Sequence, residues 1–292
     1  MDQPNNLREL VILSGKGGTG KTTLTASLAA LANPLVMADC DVDASNLHLL
    51  LDPKIIKQEV FIEGKEASID PMKCTGCAFC ADYCRFDAFK SEKGGTYSID
   101  SARCEGCGVC VRLCPAQAIQ FVERQCGHWM ISDTRFGPLV HARLIAAGEN
   151  SGKLVTLVRK EAQRIANEQK KELLLVDGPP GIGCPVISSI TGTSGVVLVT
   201  EPSVSGLHDL ERVAKLAANF RVPVYVVVNK ADIDPEQTKV IEARVKESNN
   251  KFVGTILYDE AMVKAQMLNL SPMEYITAET KRRIEKIWER IW

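Results

Sequence analysis

The sequence predicts an α/β fold, a doubly wound and mainly parallel sheet, into which a small cysteine-rich α+β module is inserted. Three observations predict it. Short apolar runs recur along the chain, each followed by a polar or glycine-containing turn and then a helix-like stretch. A glycine-rich loop stands directly between the first run and a helical pattern. Eight of the eleven cysteines lie between Cys74 and Cys114, where the alternation stops. Strands that alternate with helices argue for a parallel sheet covered on both faces, because each crossover helix packs back onto the sheet.

The elements follow in order. Residues 9–13 form a buried strand that ends at Ser14-Gly-Lys-Gly-Gly-Thr-Gly-Lys-Thr-Thr23, and apolar residues at helical spacing occupy 24–31. Residues 35–38 give a second strand, ending in Asp39-Cys-Asp-Val-Asp43. Further strands are predicted at 173–176, 196–199 and 224–228, with a helix over 206–218. The segment 63–123 breaks this rhythm and contains a repeat whose copies start 30 residues apart, at Cys74 and Cys104. An approximate two-fold repeat inside an α/β pattern is an inserted domain. The expected division is therefore 1–62 with 124–292 as one domain and 63–123 as the insert.

Bulk properties narrow the function classes. Lys+Arg number 35 against Asp+Glu 36, a net charge of -1, which gives no basic surface for nucleic acid. Hydrophobic content of 45% with 24% charged residues is that of a soluble globular protein. No apolar run approaches the roughly 18 residues of a membrane span, and the polar start lacks a signal-peptide core. A cytoplasmic location is expected, and there a dense cysteine set points to metal rather than disulfides.

Gly15-Lys16-Gly17-Gly18-Thr19-Gly20-Lys21-Thr22 fits the Walker A pattern. The backbone N–H groups of such a loop cradle phosphate, Lys21 neutralises the β- and γ-phosphates, and the Thr22 hydroxyl ligates Mg²⁺. Thr23 completes the loop.

Cys74-x2-Cys77-x2-Cys80-x3-Cys84 and Cys104-x2-Cys107-x2-Cys110-x3-Cys114-Pro115 are ferredoxin-type runs. Three closely spaced thiolates wrap one cube and the fourth cysteine of each run ligates the other. Cluster one is assigned to Cys74, Cys77, Cys80 and Cys114, and cluster two to Cys84, Cys104, Cys107 and Cys110. Zinc is the competing metal, although its sites usually show pairs of C-x2–4-C. The first run departs from the pattern in ending Cys84-Arg85 instead of Cys-Pro.

The Lys-Gly-Gly-x-x-Lys loop resembles the MinD/ParA/Mrp/nitrogenase-iron-protein branch of P-loop ATPases, and the chain as a whole is similar to members that carry an inserted bacterial-type ferredoxin domain. The resemblance implies a P-loop NTPase fold with two 4Fe–4S clusters and ATP with Mg²⁺ sandwiched in a dimer, Lys16 of one subunit reaching the partner's nucleotide. By the same resemblance Asp41, in Asp39-Cys-Asp41-Val-Asp43-Ala-Ser-Asn46, positions the attacking water and lies near Mg²⁺. Asp177 of Val176-Asp177-Gly-Pro-Pro-Gly181 binds Mg²⁺ directly or through water, and Asn229 of Asn229-Lys-Ala-Asp232 contacts adenine. The last string also resembles the guanine motif of GTPases, so GTP stays open. Cys184 follows Asp177 at the spacing of a cluster cysteine in the nitrogenase iron protein. It could pair with Cys126 in a third site shared across the dimer; the alternative is that both are small buried residues.

Three functions remain in view: an ATPase whose closure couples to electron transfer through the two clusters, a cluster-assembly scaffold or carrier, and a membrane-associated positioning ATPase with redox-sensing clusters. The implied partners are a second copy or a related ATPase and a redox or metallocluster protein, with no nucleic acid. The apolar face of Ile284, Ile287, Trp288, Ile291 and Trp292 suits a membrane surface or, more commonly, the protein's own core.

Overall fold

The computed structural model describes residues 7–32, 34–145 and 151–292. Eleven strands occur among them: β1 (Arg8–Ser14), β2 (Leu35–Asp39), β3 (Lys54–Ile69), β4 (Phe89–Ser91), β5 (Tyr97–Ile99), β6 (Ile119–Thr134), β7 (Gly137–Leu144), β8 (Leu173–Pro180), β9 (Gly195–Thr200), β10 (Val224–Val228) and β11 (Lys251–Thr255). The α-helices are α1 (Lys21–Leu31), α2 (His48–Leu51), α3 (Phe79–Asp82), α4 (Val109–Leu113), α5 (Ser151–Glu168), α6 (Cys184–Ile190), α7 (Val204–Asn219), α8 (Pro235–Lys246), α9 (Glu260–Met267) and α10 (Ala278–Ile291).

The main sheet has the order β11-β10-β9-β1-β8-β2-β7-β6-β3, and β1, β2, β7, β8, β9, β10 and β11 are joined by parallel pairings. The centre of the sheet reads as uninterrupted apolar sequence because it is buried on both faces. Leu10, Val11, Ile12 and Leu13 of β1 and Leu174, Leu175 and Val176 of β8 are inaccessible to solvent. Helix α1 is buried almost all round, with Leu24, Ala26, Leu28 and Ala29 in the core.

Two compact units result. One comprises the chain up to Gln58, Trp129–Arg143 and Ser151–Trp292; the other comprises Glu59–His128 with Leu144 and Ile145. Their limits fall inside β3, β6 and β7, where no change of composition marks them.

Helix α10 docks on the core of its own unit. Ile284, Ile287 and Ile291 are buried in the cluster around α1, and Trp288 packs against it. Trp292 stacks on Trp288 and lies under the Arg8 guanidinium, whose nitrogens donate to the Ile291 and Trp292 carbonyls. Four of the five stripe residues are thus packed within the chain, while Trp292 stays 53% exposed. Among the described residues no helix is long and apolar enough to cross one.

Helices α9 and α10 are tied by one carboxylate. Asp259 accepts from Ala261 N (2.9 Å), Thr277 N (3.2 Å), Thr277 Oγ1 (3.1 Å) and Thr280 Oγ1 (2.7 Å). Burial alone would raise its pKa, but the four hydrogen bonds, led by Thr280, outweigh it and hold the carboxyl below its usual range. Asp259→Ala is expected to cost about 1–2 kcal/mol in urea unfolding, the range of a lost helix cap. Because the folded pKa is depressed, this stability is present above the unfolded value of 3.8 and is lost as pH falls through the folded value. The gap between wild type and variant should therefore close in acid.

Candidate functional site

The glycine loop sits where β1 ends and α1 begins. Gly20 occupies the α1 cap position at φ 95°, and a Cβ there would stand 2.4 Å from Asn229 Nδ2, so only glycine fits. Helices α7, α8, α9 and α10 are capped by side chains (Ser203, Asp234, Asp259 and Thr277), whereas α1, like the shorter α2, α3, α4 and α6, has none. Its first N–H groups face the loop, where Gly17 and Gly18 have nothing within 4 Å of a Cβ position. Thr19 Oγ1 is buried without a partner. An open cradle, an uncapped helix start and an orphaned buried hydroxyl together fit a phosphate chain. The cleft around them has a volume of about 770 Å³, within the roughly 300–1,000 Å³ of ordinary small-molecule pockets, and is lined by Lys21, Thr22, Asp41, Asn46, Asn229, Tyr258 and Met262, among others.

The strand ends bring three carboxylates to this loop. Asp177, three residues before the end of β8, accepts from Thr22 Oγ1 (2.6 Å) and Thr25 Oγ1 (3.0 Å). Asp41 faces the Lys21 ammonium at 3.6 Å. Asp39 lies at the end of β2, in register with Asp177, and accepts from Asp41 N (3.1 Å), Ser45 Oγ (2.7 Å) and Leu47 N (3.2 Å). Burial raises the pKa of all three; the neighbouring Asp177 adds to the effect at Asp39, while Lys21 and the two threonines oppose it at Asp177. A divalent cation against Thr22 and Asp177 would supply the positive charge that this buried acidic group lacks.

The remaining loop residues are also fixed. Lys16 Nζ lies 3.6 Å from Glu201 Oε2. Gly15 lies against α7, a Cβ there falling 2.2 Å from Asp209 Cβ, and Thr23 Oγ1 accepts from Gln266 Nε2 at 2.9 Å. Asn229 Nδ2 donates to Thr19 O at 2.8 Å, which leaves Oδ1 as an acceptor on the cleft. Asp232 Oδ1 accepts from Tyr258 N at 2.6 Å. Sequence reasoning missed Thr25, Glu201 and the tethering role of Asp39; Thr25, one helical turn after Lys21, is the only one with a local signal.

The cysteine unit is built from two halves that cross-bond. Asp70 and Asp100 occupy equivalent positions, each accepting a backbone N–H two residues on, from Met72 and Ala102. Asp70 N donates to Ala118 O (2.8 Å), and Asp100 N donates to Ala88 O (2.7 Å), so each half holds the residue four beyond the other's last cysteine. The loops follow one backbone path, with Gly76 and Gly106 at φ 71° and 61° and Ala78 and Gly108 at 63° and 76°.

Two cavities lie between the halves. One is lined by Cys74, Cys77, Cys80 and Cys114; another is lined by Cys84, Cys104, Cys107 and Cys110, and Cys80 borders it as well. Ala118 N donates to Cys114 Sγ at 3.3 Å. Burial pushes the Cys80 thiol up and the Cys110 thiol to about 11, and the neighbouring thiols add to both. Thiolates here call for adjacent positive charge, which iron provides. Among the described residues no group of three His, Cys, Asp or Glu side chains is placed to hold a single metal ion.

Cys126 is fully buried with Sγ 3.3 Å from Glu63 O, and Cys40 is buried with its thiol pKa raised by desolvation. Cys184 is exposed at the start of α6. Cys126 and Cys184 belong to different units. Of the other motif residues, His141 bonds Ser132 Oγ at 2.8 Å and stacks on His48, with burial lowering its pKa to about 4. Asn150 lies outside the described residues.

Comparison with known proteins accords with this geometry. Residues 10–272 match the CobQ/CobB/MinD/ParA nucleotide binding domain. The chain is 34% identical over 235 residues to the uncharacterized protein MJ0578 of Methanocaldococcus jannaschii, covering 79% of this chain and 80% of that one. It is 22% identical over 306 residues to an iron-sulfur cluster carrier protein of Methanococcus maripaludis, covering 97% and 85%. In fold it resembles the septum site-determining protein MinD of Pyrococcus horikoshii in complex with Mg-ADP, with TM-score 0.57, 17% identity and 98% and 96% coverage. An open phosphate loop at the head of a parallel sheet, shared over nearly the whole length, makes this chain a P-loop NTPase of the CobQ/CobB/MinD/ParA nucleotide-binding family.

Proposed function

We propose that the protein is an ATP-hydrolysing iron–sulfur protein that closes as a dimer over nucleotide and carries electrons through two 4Fe–4S clusters. The observation that carries this reading is the grouping of the eight cysteines around two cavities, one lined by three thiols of the first run with Cys114, the other by three of the second run with Cys84 and, at its border, Cys80. When bound, the clusters supply one-electron transfer at low potential. The protein's part is to hold them with Cys74, Cys77, Cys80 and Cys114 and with Cys84, Cys104, Cys107 and Cys110, and to donate N–H groups such as that of Ala118 to the sulfurs.

In the nucleotide cleft Lys21 neutralises the terminal phosphates, and Thr22 and Asp177 hold Mg²⁺. Asp41 orients the attacking water, and Lys16 of one subunit stabilises charge on the partner's nucleotide, as an arginine finger does. Adenine is favoured over guanine: Asn229 Oδ1 can accept from the exocyclic amino group, while the Asp232 carboxylate is engaged by Tyr258 N. Dimer closure gates electron delivery to a partner.

The test is twofold. Iron and acid-labile sulfide in anaerobically purified protein should reach about 8 of each per chain, with two coupled cubes by EPR. Lys16→Ala should lower ATP turnover by roughly 10²-fold or more with nucleotide binding retained. Zinc in place of iron, or full turnover in Lys16→Ala, would overturn the reading.

A second reading, delivery of clusters to other proteins, is favoured by the similarity to the Methanococcus carrier and by the exposure of Cys184. About 10 irons per chain, an extra cube shared by two subunits, would move the weight to it.

A further inference from the structure

We infer that Glu201 is a latch for the dimer-crossing lysine: it holds Lys16 within its own subunit and releases it when the partner's nucleotide arrives. The inference rests on the role given to Lys16 above and adds the residue that controls it.

Glu201 follows β9, one residue beyond its end, on a backbone that cannot drift. Its carbonyl accepts from Ser203 N at 2.8 Å, Ser203 caps α7, and a Cβ at Gly206 would lie 2.4 Å from that same carbonyl. The carboxylate reaches two lysines from different loops. Oε1 is 2.5 Å from Lys230 Nζ, and Oε2 is 3.6 Å from Lys16 Nζ. Lys16 is itself held at the backbone, where its carbonyl accepts from Ser14 Oγ at 2.7 Å, so only its side chain can swing.

The asymmetry of the pair makes it a latch and not a fixed brace. Lys230 binds Glu201 tightly at hydrogen-bond distance, while Lys16 is the looser partner and its side chain is 39% exposed. Departure of Lys16 leaves no unpaired carboxylate, because Lys230 remains. Release is therefore cheap, as for any partly exposed ion pair. A triphosphate offers Lys16 more negative charge than one shared carboxylate does, so an ATP-loaded partner wins the competition. A subunit facing an empty partner keeps the lysine home.

Two substitutions move the equilibrium in opposite directions. Glu201→Gln keeps the shape and removes the charge that retains Lys16. With saturating non-hydrolysable ATP analogue in low salt, its dimer dissociation constant should fall about 3- to 10-fold by sedimentation velocity, since two latches open per dimer. Lys230→Met leaves Glu201 to Lys16 alone and should raise the constant by a similar factor. Both effects should fade at roughly 1 M salt, where the Debye length is about 3 Å. In a Lys16→Ala background neither substitution should alter the constant. An unchanged or weakened Glu201→Gln dimer overturns the latch. So does a Glu201→Gln effect that persists without Lys16, which would mark Glu201 as a structural brace. If Lys16→Ala alone leaves the dimer and its turnover intact, the fault lies with the earlier assignment of Lys16. If Lys16→Ala weakens the dimer and Glu201→Gln does nothing, the latch alone fails.

Discussion

Cys84→Ser is expected to halve the iron, from about 8 to about 4 per chain, and the cube it removes is the one held by Cys104, Cys107 and Cys110. The prediction is counter to sequence order, since Cys84 belongs to the first run. It follows from the cross-bonded halves: Asp70 N to Ala118 O and Asp100 N to Ala88 O carry each fourth cysteine to the far side. Pairing the substitutions makes the prediction sharp. Cys84→Ser with Cys104→Ser should lose no more iron than Cys84→Ser alone, because both strike one cube. Cys84→Ser with Cys74→Ser should lose nearly all of it. Complete loss in Cys84→Ser/Cys104→Ser with only half lost in Cys84→Ser/Cys74→Ser would mean that each run serves its own cube, and the ligand assignment would fall. EPR of the reduced protein gives a separate check, as loss of one cube abolishes the magnetic coupling between the two.

Arg159→Ala is expected to destabilise the nucleotide-binding unit by about 3–5 kcal/mol, the cost of breaking a buried ion pair from one side. Arg159 and Glu9 are 7% and 5% exposed, so water cannot replace the missing partner. Arg159 Nε donates to Glu9 Oε1 at 2.7 Å, and its terminal nitrogens donate to the Ser188 carbonyl (2.5 Å) and the Thr191 carbonyl (3.2 Å) at the end of α6. One guanidinium thus joins α5, β1 and α6. Gln163 Nε2 still reaches Glu9 Oε2 at 2.9 Å, which softens the loss without supplying a charge. Urea unfolding would measure the cost. The double variant Glu9→Leu/Arg159→Met should lose less than Arg159→Ala, because no charge is then left buried, although the α6 carbonyls stay unmet. A single variant within about 0.5 kcal/mol of wild type, the ordinary surface range, would show that the network holds no stability.

Local chemistry was legible in the sequence. The phosphate loop is eight consecutive residues whose glycines, lysine and threonine each do their work within one turn of backbone, and the cysteine runs are defined by spacing alone. Fold class followed from the alternation of apolar runs with helical stretches, which reports burial on both faces of a sheet. Helix α10 was legible as amphipathic but not as to what its stripe meets, because a periodic apolar face is identical whether its partner is lipid or core. The long strands β3 and β6 left no clear signal, since much of β3 is exposed and its polar and apolar residues do not alternate cleanly.

The tertiary structure alone decided which distant residues share a site. Apolar runs say that strands exist but not their order, and the order here sets β1 between β8 and β9 and puts β2 beyond β8. That arrangement brings Arg159 to Glu9 across 150 residues and Asn229 to Thr19 across 210, and it seats Asp39 beside Asp177. It also puts Glu201 within reach of both Lys16 and Lys230, three loops that nothing in the sequence connects. A motif is written in one stretch of backbone, so its spacing survives in the sequence. A contact between strand ends depends on how the crossovers pack, and packing is a property of the whole sheet.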